Sequence, residues 1–157
     1  METWKSRNYA QILEEDSGNS LFALVHPKQL RLVLRQAKLL KPVLGKIEAQ
    51  IDQFGNELQS QPTVLGKLHD SLSKQQESWL RENLFKGTIA AISYDRVRSE
   101  LVHDVSAGTV TFSESTVNGE PVPDLNFDLL YQALVNIFIN VKRISIEANA
   151  WYWELDA

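Results

Sequence analysis

An arginine and a histidine at short spacing are a minimal kit for work on a phosphodiester. The guanidinium is always charged and neutralises a phosphate, while imidazole titrates near neutral pH and moves a proton. The run Tyr94-Asp95-Arg96-Val97-Arg98-Ser99-Glu100-Leu101-Val102-His103-Asp104 sets two arginines just ahead of a histidine, at the end of a long helical pattern. On an ideal helix Arg96 and His103, seven apart, share nearly one face, whereas Arg98, five before His103, points to one side. Arg98 joins the histidine if the helix ends or turns near Ser99, or if a second subunit supplies it. A structural reading of the same residues stays open. Arg96 and Glu100, four apart, suit an exposed helical ion pair worth about 0.2–0.5 kcal/mol. His103 near a helix C-terminus would then be favoured by the dipole when protonated.

The other reactive residues offer less. His26 precedes Pro27 without an acidic neighbour and reads as a surface or boundary residue at a helix start. His69-Asp70 sets a carboxylate beside an imidazole, but adjacent residues do not face each other on a helix. The chain has no cysteine, which removes disulfides, thiolate zinc sites and cysteine nucleophiles together. It also lacks His-x-x-x-His, an Asp-rich loop and the glycine-rich phosphate loops, so neither metal nor cofactor is expected. Ser113-Glu114-Ser115-Thr116 reads as a solvated hairpin flank. Trp151-Tyr152-Trp153 sends three aromatics in different directions. Two are expected in the core and at least one at the surface or an interface, where a dimer contact or base stacking is the lesser alternative.

The elements that must position these residues are mostly helical. Residues 2–16 suit a short amphipathic helix with Trp4, Tyr9, Ile12 and Leu13 inside, broken by Ser17-Gly18-Asn19. From Pro27 to Phe54, Leu30, Val33, Leu34, Ala37, Leu40, Leu44, Ile47 and Ile51 step by three and four, predicting one buried face. Pro42 and Gly45 predict a kink or break within it, and Gly55-Asn56 its end. A third region, capped by Asp70 or Ser71, runs through Trp79, Leu80, Leu84, Phe85, Ile89, Ile92, Val97 and Leu101 to His103, with Gly87 a weak point. Thr109–Ser113 alternates like a strand, and Val117-Asn118-Gly119-Glu120 is a hairpin signal, with Pro121 and Pro123 shortening the return. Asp124 is the expected cap of a last helix carrying Leu125 to Ile146.

These patterns predict one mainly α domain over residues 1–157: an up-and-down bundle of about four principal helices with a small β-hairpin before the last. At 157 residues the length suits one core, and 43% apolar with 23% charged residues is ordinary for a globular chain. A net charge of −4 argues against a broad basic surface for nucleic acid, though not against a small local one. The N-terminus lacks a signal-peptide pattern, and no stretch nears the roughly 18 apolar residues of a membrane span. A cytoplasmic location without membrane contact is expected.

The run from Tyr94 to Asp104 resembles the signature of the HEPN superfamily, the higher eukaryotes and prokaryotes nucleotide-binding domains. That signature is an arginine, four to six residues, then a histidine, and Arg98-Ser99-Glu100-Leu101-Val102-His103-Asp104 is similar to a common version of it. The resemblance implies an all-α bundle and, in many members, metal-independent RNA cleavage at a dimer interface in toxin–antitoxin, phage-defence and stress systems. By it, Arg98 and His103 take the catalytic positions, and Arg96 and Ser99 become candidate phosphate contacts. It also implies RNA or a nucleotide as ligand, a homodimer, and a cognate antitoxin as possible partner. The alternatives are a non-catalytic HEPN-like module that binds a nucleotide or a protein, and a small acidic immunity or adaptor protein.

Overall fold

The computed structural model describes residues 11–95, 112, 114–125, 127–151 and 154. Residues 11–16 are helical (α1) and stop where expected, at Gly18. Gly18 has φ +70°, a conformation glycine adopts without the penalty of a Cβ. A Cβ there would also lie 2.8 Å from Asn136 Nδ2. A 3-10 turn, Ser20–Ala23, follows, capped by Asn19, whose Oδ1 accepts from Leu21 N–H at 3.0 Å.

The periodic run from Pro27 keeps its buried face but not its continuity. Pro27 opens α2 (Pro27–Arg35), where the missing N–H costs nothing. The chain then tightens into a 3-10 turn at Lys38–Val43 around Pro42, and α3 (Leu44–Asp52) resumes the helix. Leu30, Leu34, Leu40, Ile47 and Ile51 are all buried. Gly55, at φ +60°, ends the run.

The next helix, α4 (Gln61–Leu68), was not foreshadowed by apolar periodicity. It is specified by its start: Thr63 N–H donates to Ser60 Oγ at 3.2 Å, and Pro62 sits in the first turn. α5 (Lys74–Asn83) is capped by Ser73, correcting the expected Asp70 or Ser71, which lie in the 3-10 turn His69–Ser71. Ser73 has Gln76 three residues on, so Gln76 N–H meets Ser73 Oγ and Ser73 N–H meets Gln76 Oε1. Asp70 and Ser71 have Ser73 and Lys74 at that distance and cannot form this reciprocal box. A 3-10 turn at Leu84–Gly87 separates α5 from helical residues 89–95 (α6), a break at the expected weak point. Gly87 packs closely, with a Cβ position 3.4 Å from both Leu30 Cα and Val25 Cγ1.

Asn118 and Gly119, at φ 51° and 80°, turn the expected hairpin between β1 (Thr116–Val117) and β2 (Glu120–Pro121). Thr116 pairs with Pro121, and Val117 with Glu120. The last helix, α7 (Phe127–Ala148), is the one long stretch among the described residues. It begins three residues after Asp124, which is therefore not its cap. The chain is mainly α with a small antiparallel hairpin before its last helix. The region over 27–54 is broken at Pro42, where a kink or break is expected, and the region after 70 is divided at Gly87, its expected weak point.

A narrow extended seam runs between the helices. Val25 pairs antiparallel with Gln59 on one side and Thr88 on the other, while Glu57 pairs parallel with Thr116 and so joins the hairpin. Val25 N–H donates to the Gln59 carbonyl at 2.7 Å, and Leu58 N–H to the Thr116 carbonyl at 2.8 Å. The Glu57 carboxylate accepts from Thr116 Oγ1 and from the turn amides of Asn118 and Gly119. These bonds, the hydroxyl's foremost, hold it below the usual carboxylate range. Alternation along the seam feeds two apolar clusters. Leu58 and Ile89 join Phe22, Phe112, Leu125 and Ala133 in one, and Val25 joins Leu30, Leu34, Leu40, Ile47, Ile51, Leu68, Leu80 and Leu84 in the other.

Candidate functional site

Arg96, Arg98, Ser99 and His103 lie outside the described residues, as do Val97, Leu101, Tyr152 and Trp153. What is described is the helix leading into the run. Ile89 and Ala90 of α6 are buried, and the buried Ser93 hydroxyl donates to the Ile89 carbonyl at 2.7 Å. Thr88 Oγ1 caps this helix by accepting from Ala91 N–H at 3.3 Å and itself donates to the Phe85 carbonyl at 2.7 Å. The approach to the motif is thus anchored in the core.

Within the described residues a histidine and an arginine do meet, at a place the sequence reading had not joined. His69 Nδ1 lies 3.0 Å from Glu77 Oε2, and Arg81 donates to Glu77 Oε1 at 2.9 Å. His69's carboxylate partner is therefore Glu77, one 3-10 turn and most of a helical turn further on, and not its neighbour Asp70. Glu77 is held below the usual carboxylate range, first by the hydrogen bond from His69 and then by that from Arg81. The three line an open pocket of about 480 Å³ with Pro62, Leu65 and Gly66. The carboxylate orients the ring with Nδ1 donating, leaving Nε2 as its basic nitrogen. One carboxylate accepts from both the exposed imidazole and the exposed guanidinium, so the cluster acts as a clamp from the His69–Ser71 turn onto α5. The one local signal for this cluster, unused in the sequence reading, is the spacing of four between Glu77 and Arg81.

His26 is a boundary residue, as expected, occupying the N-cap position of α2, but it is half-buried and not at the surface. Its Nε2 lies 3.0 Å from Ser115 Oγ, and its ring stands 6.2 Å from that of Phe112. Burial first, and then the charge of Lys28, push its pKa below that of a free imidazole. Ser115 is buried, which corrects the reading of that stretch as a solvated flank: its hydroxyl is taken up by His26, 89 residues away in the chain. Glu114 and Thr116 beside it are exposed and half-buried respectively.

A serine beside a neutral imidazole is the geometry of an activated nucleophile, but the supporting groups are not there. His26 Nδ1 is buried with no hydrogen-bond partner among the described residues, so no carboxylate orients the ring. The amides that would hold an oxyanion are committed, Ser115 N–H to the Phe112 carbonyl and Thr116 N–H to that of Asn56. The pair ties the start of α2 to the hairpin.

The remaining feature is apolar. Leu134, Phe138, Ile139 and Ile146 of α7 and the following Trp151 each expose more than half their surface. An open groove of about 740 Å³ runs between Phe138, Val141, Ile146 and Trp151. Trp151 fulfils the expectation of an exposed aromatic near the end of the chain. Among the described residues no group of three His, Asp or Glu could hold a metal ion, and no helix is long and apolar enough to cross a membrane. Comparison with protein-family models, curated proteins and solved structures returned no match.

Proposed function

We propose that this chain is a HEPN-like ribonuclease, an up-and-down helical bundle that cleaves RNA without a metal and acts as a homodimer. Its setting would be a toxin–antitoxin or phage-defence system, with a cognate antitoxin as partner. One observation carries the reading: Arg98-Ser99-Glu100-Leu101-Val102-His103-Asp104 sets a guanidinium and an imidazole at the family's spacing. The order of elements supports it, since the run follows a core-anchored helix and precedes the hairpin and the long α7.

In this reading His103 takes the proton of a ribose 2′-hydroxyl or gives one to the leaving 5′-oxygen. Arg98 stabilises the charge that develops on the pentacoordinate phosphate. Arg96 and Ser99 contact phosphate oxygens. One imidazole does not serve comfortably as acid and base in a single step, and a twofold dimer supplies the second. The test is cleavage of RNA in the presence of a chelator. Arg98→Ala and His103→Ala should each lower the rate by 10²-fold or more, a typical scale for removing an acid–base or charge-stabilising group, with the circular-dichroism spectrum unchanged. Equal cleavage by parent and variants, or none by the parent, would refute the proposal.

A second reading is favoured by the apolar face of α7. There the chain is a non-catalytic HEPN-like nucleotide- or protein-binding module, or a small acidic immunity or adaptor protein. No cleavage by the parent, together with a stable complex lost on substitution of Phe138, would favour it.

A further inference from the structure

We infer that the outer face of α7 is the surface through which two copies of this chain associate. The helix carries two apolar stripes where its own core needs one. Leu129, Leu130, Ala133 and Ile137 pack inward on the cluster around Phe22. Asn136 and Asn140, on that same side, donate to the carbonyls of Ser17 and Asp16 at the end of α1. One residue further round, at 131, 134, 138, 141 and 145, lies a second stripe of Tyr131, Leu134, Phe138, Val141 and Ser145. Its steps of three and four are those of a helix–helix seam.

Area and charge choose the occupant. Tyr131, Leu134, Phe138, Ile139, Ile146 and Trp151 are each 56–69% exposed. Aromatic side chains bury roughly 150–250 Å² and leucine and isoleucine somewhat less, so at this exposure each leaves on the order of 100 Å² uncovered. Two copies would then remove on the order of 1,200 Å² from water, the lower bound for a specific protein interface. No charged residue occurs from Tyr131 to Val141, so a copy can approach without stranding a charge. A membrane surface would need a cationic rim, whereas Arg143 is paired with Glu147 at 3.2 Å and Lys142 shares its groove with Glu154. A twofold interface must be self-complementary, and an uncharged stripe centred on Phe138 is so when the helices run antiparallel, with Phe138 against its copy.

This deepens the ribonuclease reading by naming the dimer surface, but it is argued from α7 and is read out by mass, not by cleavage. The experiment is light scattering on the full chain, with Phe138→Glu and Leu134→Glu as variants. The parent should be a dimer. Each variant should weaken association by roughly 30-fold or more, as loss of a central hot-spot side chain does. Both positions are exposed, so circular dichroism should not change. Because the chain has no cysteine, Phe138→Cys offers a second readout: mild oxidation should link two chains, while Lys67→Cys on α4, outside the α7 stripe, should not. A monomeric parent, or a dimer that persists in both glutamate variants, overturns the inference whatever the RNA assay shows. A parent dimer that the variants disrupt sustains it even if no RNA is cut.

Discussion

His26 shows how one buried side chain makes stability depend on pH. Its pKa in the folded chain lies below the ordinary 6.5, because burial and Lys28 disfavour the imidazolium. As pH falls through 6.5 the unfolded chain takes up the proton first, so the folded state loses stability from there down to the lowered value. Glu14 works in the opposite sense. Burial raises its pKa, so the folded chain protonates first and gains stability as pH falls through the raised value towards 4.5. Comparing melting temperatures of the parent and His26→Gln across this range isolates the histidine, since Glu14 is common to both. The parent should lose more stability than the variant on acidification below pH 6.5, and parallel curves would contradict this account. At this scale the reactive residue types were legible in the sequence, but their partners were not. The partner of His69 is eight residues along, and that of His26 is 89 away on the hairpin. Such pairings are decided by tertiary packing, of which chain neighbours carry no trace.

Among the elements, short-range chemistry fixes the ends and packing fixes the faces. Gly18 ends α1 at φ +70°, and its missing Cβ makes room for the Asn136 amide that donates to the Ser17 carbonyl at 2.8 Å. Gly18→Ala should therefore cost about 1–2 kcal/mol for the left-handed backbone alone. Displacing Asn136 should add to that, measured by urea denaturation, and a neutral result would mean α1 is not held this way. Ser73→Ala should cost about 1 kcal/mol by removing the capping box of α5. Asp70→Ala, at the cap first expected, should cost less. The buried face of 27–54 was legible because eight apolar residues keep one period over several turns, and Pro42 disclosed its break. The hairpin was legible from Asn118-Gly119 alone. α4 escaped because its eight residues bury only Val64 and Leu68, too few to establish a period, although Ser60 and Pro62 mark its start.

For the whole molecule, the seam of Val25, Gln59, Thr88 and Thr116 has a consequence that neither local sequence nor any single helix reveals. It is the stretch from which both apolar clusters draw side chains, Leu58 and Ile89 to one and Val25 to the other. Its amides are bonded across segments far apart in the chain, Val25 to Gln59 and Ile89 to Leu24 among them. Opening it exposes both clusters at once, so the amides of Val25, Gln59 and Ile89 should exchange hydrogen only through global unfolding. Leu58→Ala weakens one cluster and Leu30→Ala the other, each by about 2–5 kcal/mol for a buried leucine. Either variant should speed exchange at all three amides by the factor its own global destabilisation dictates. Exchange that quickened at Ile89 in Leu58→Ala but stayed slow at Val25 would show two independently opening halves. In that case the seam would be a boundary between clusters, and the core-anchored approach to Arg98 and His103 would depend on the Leu58 cluster alone.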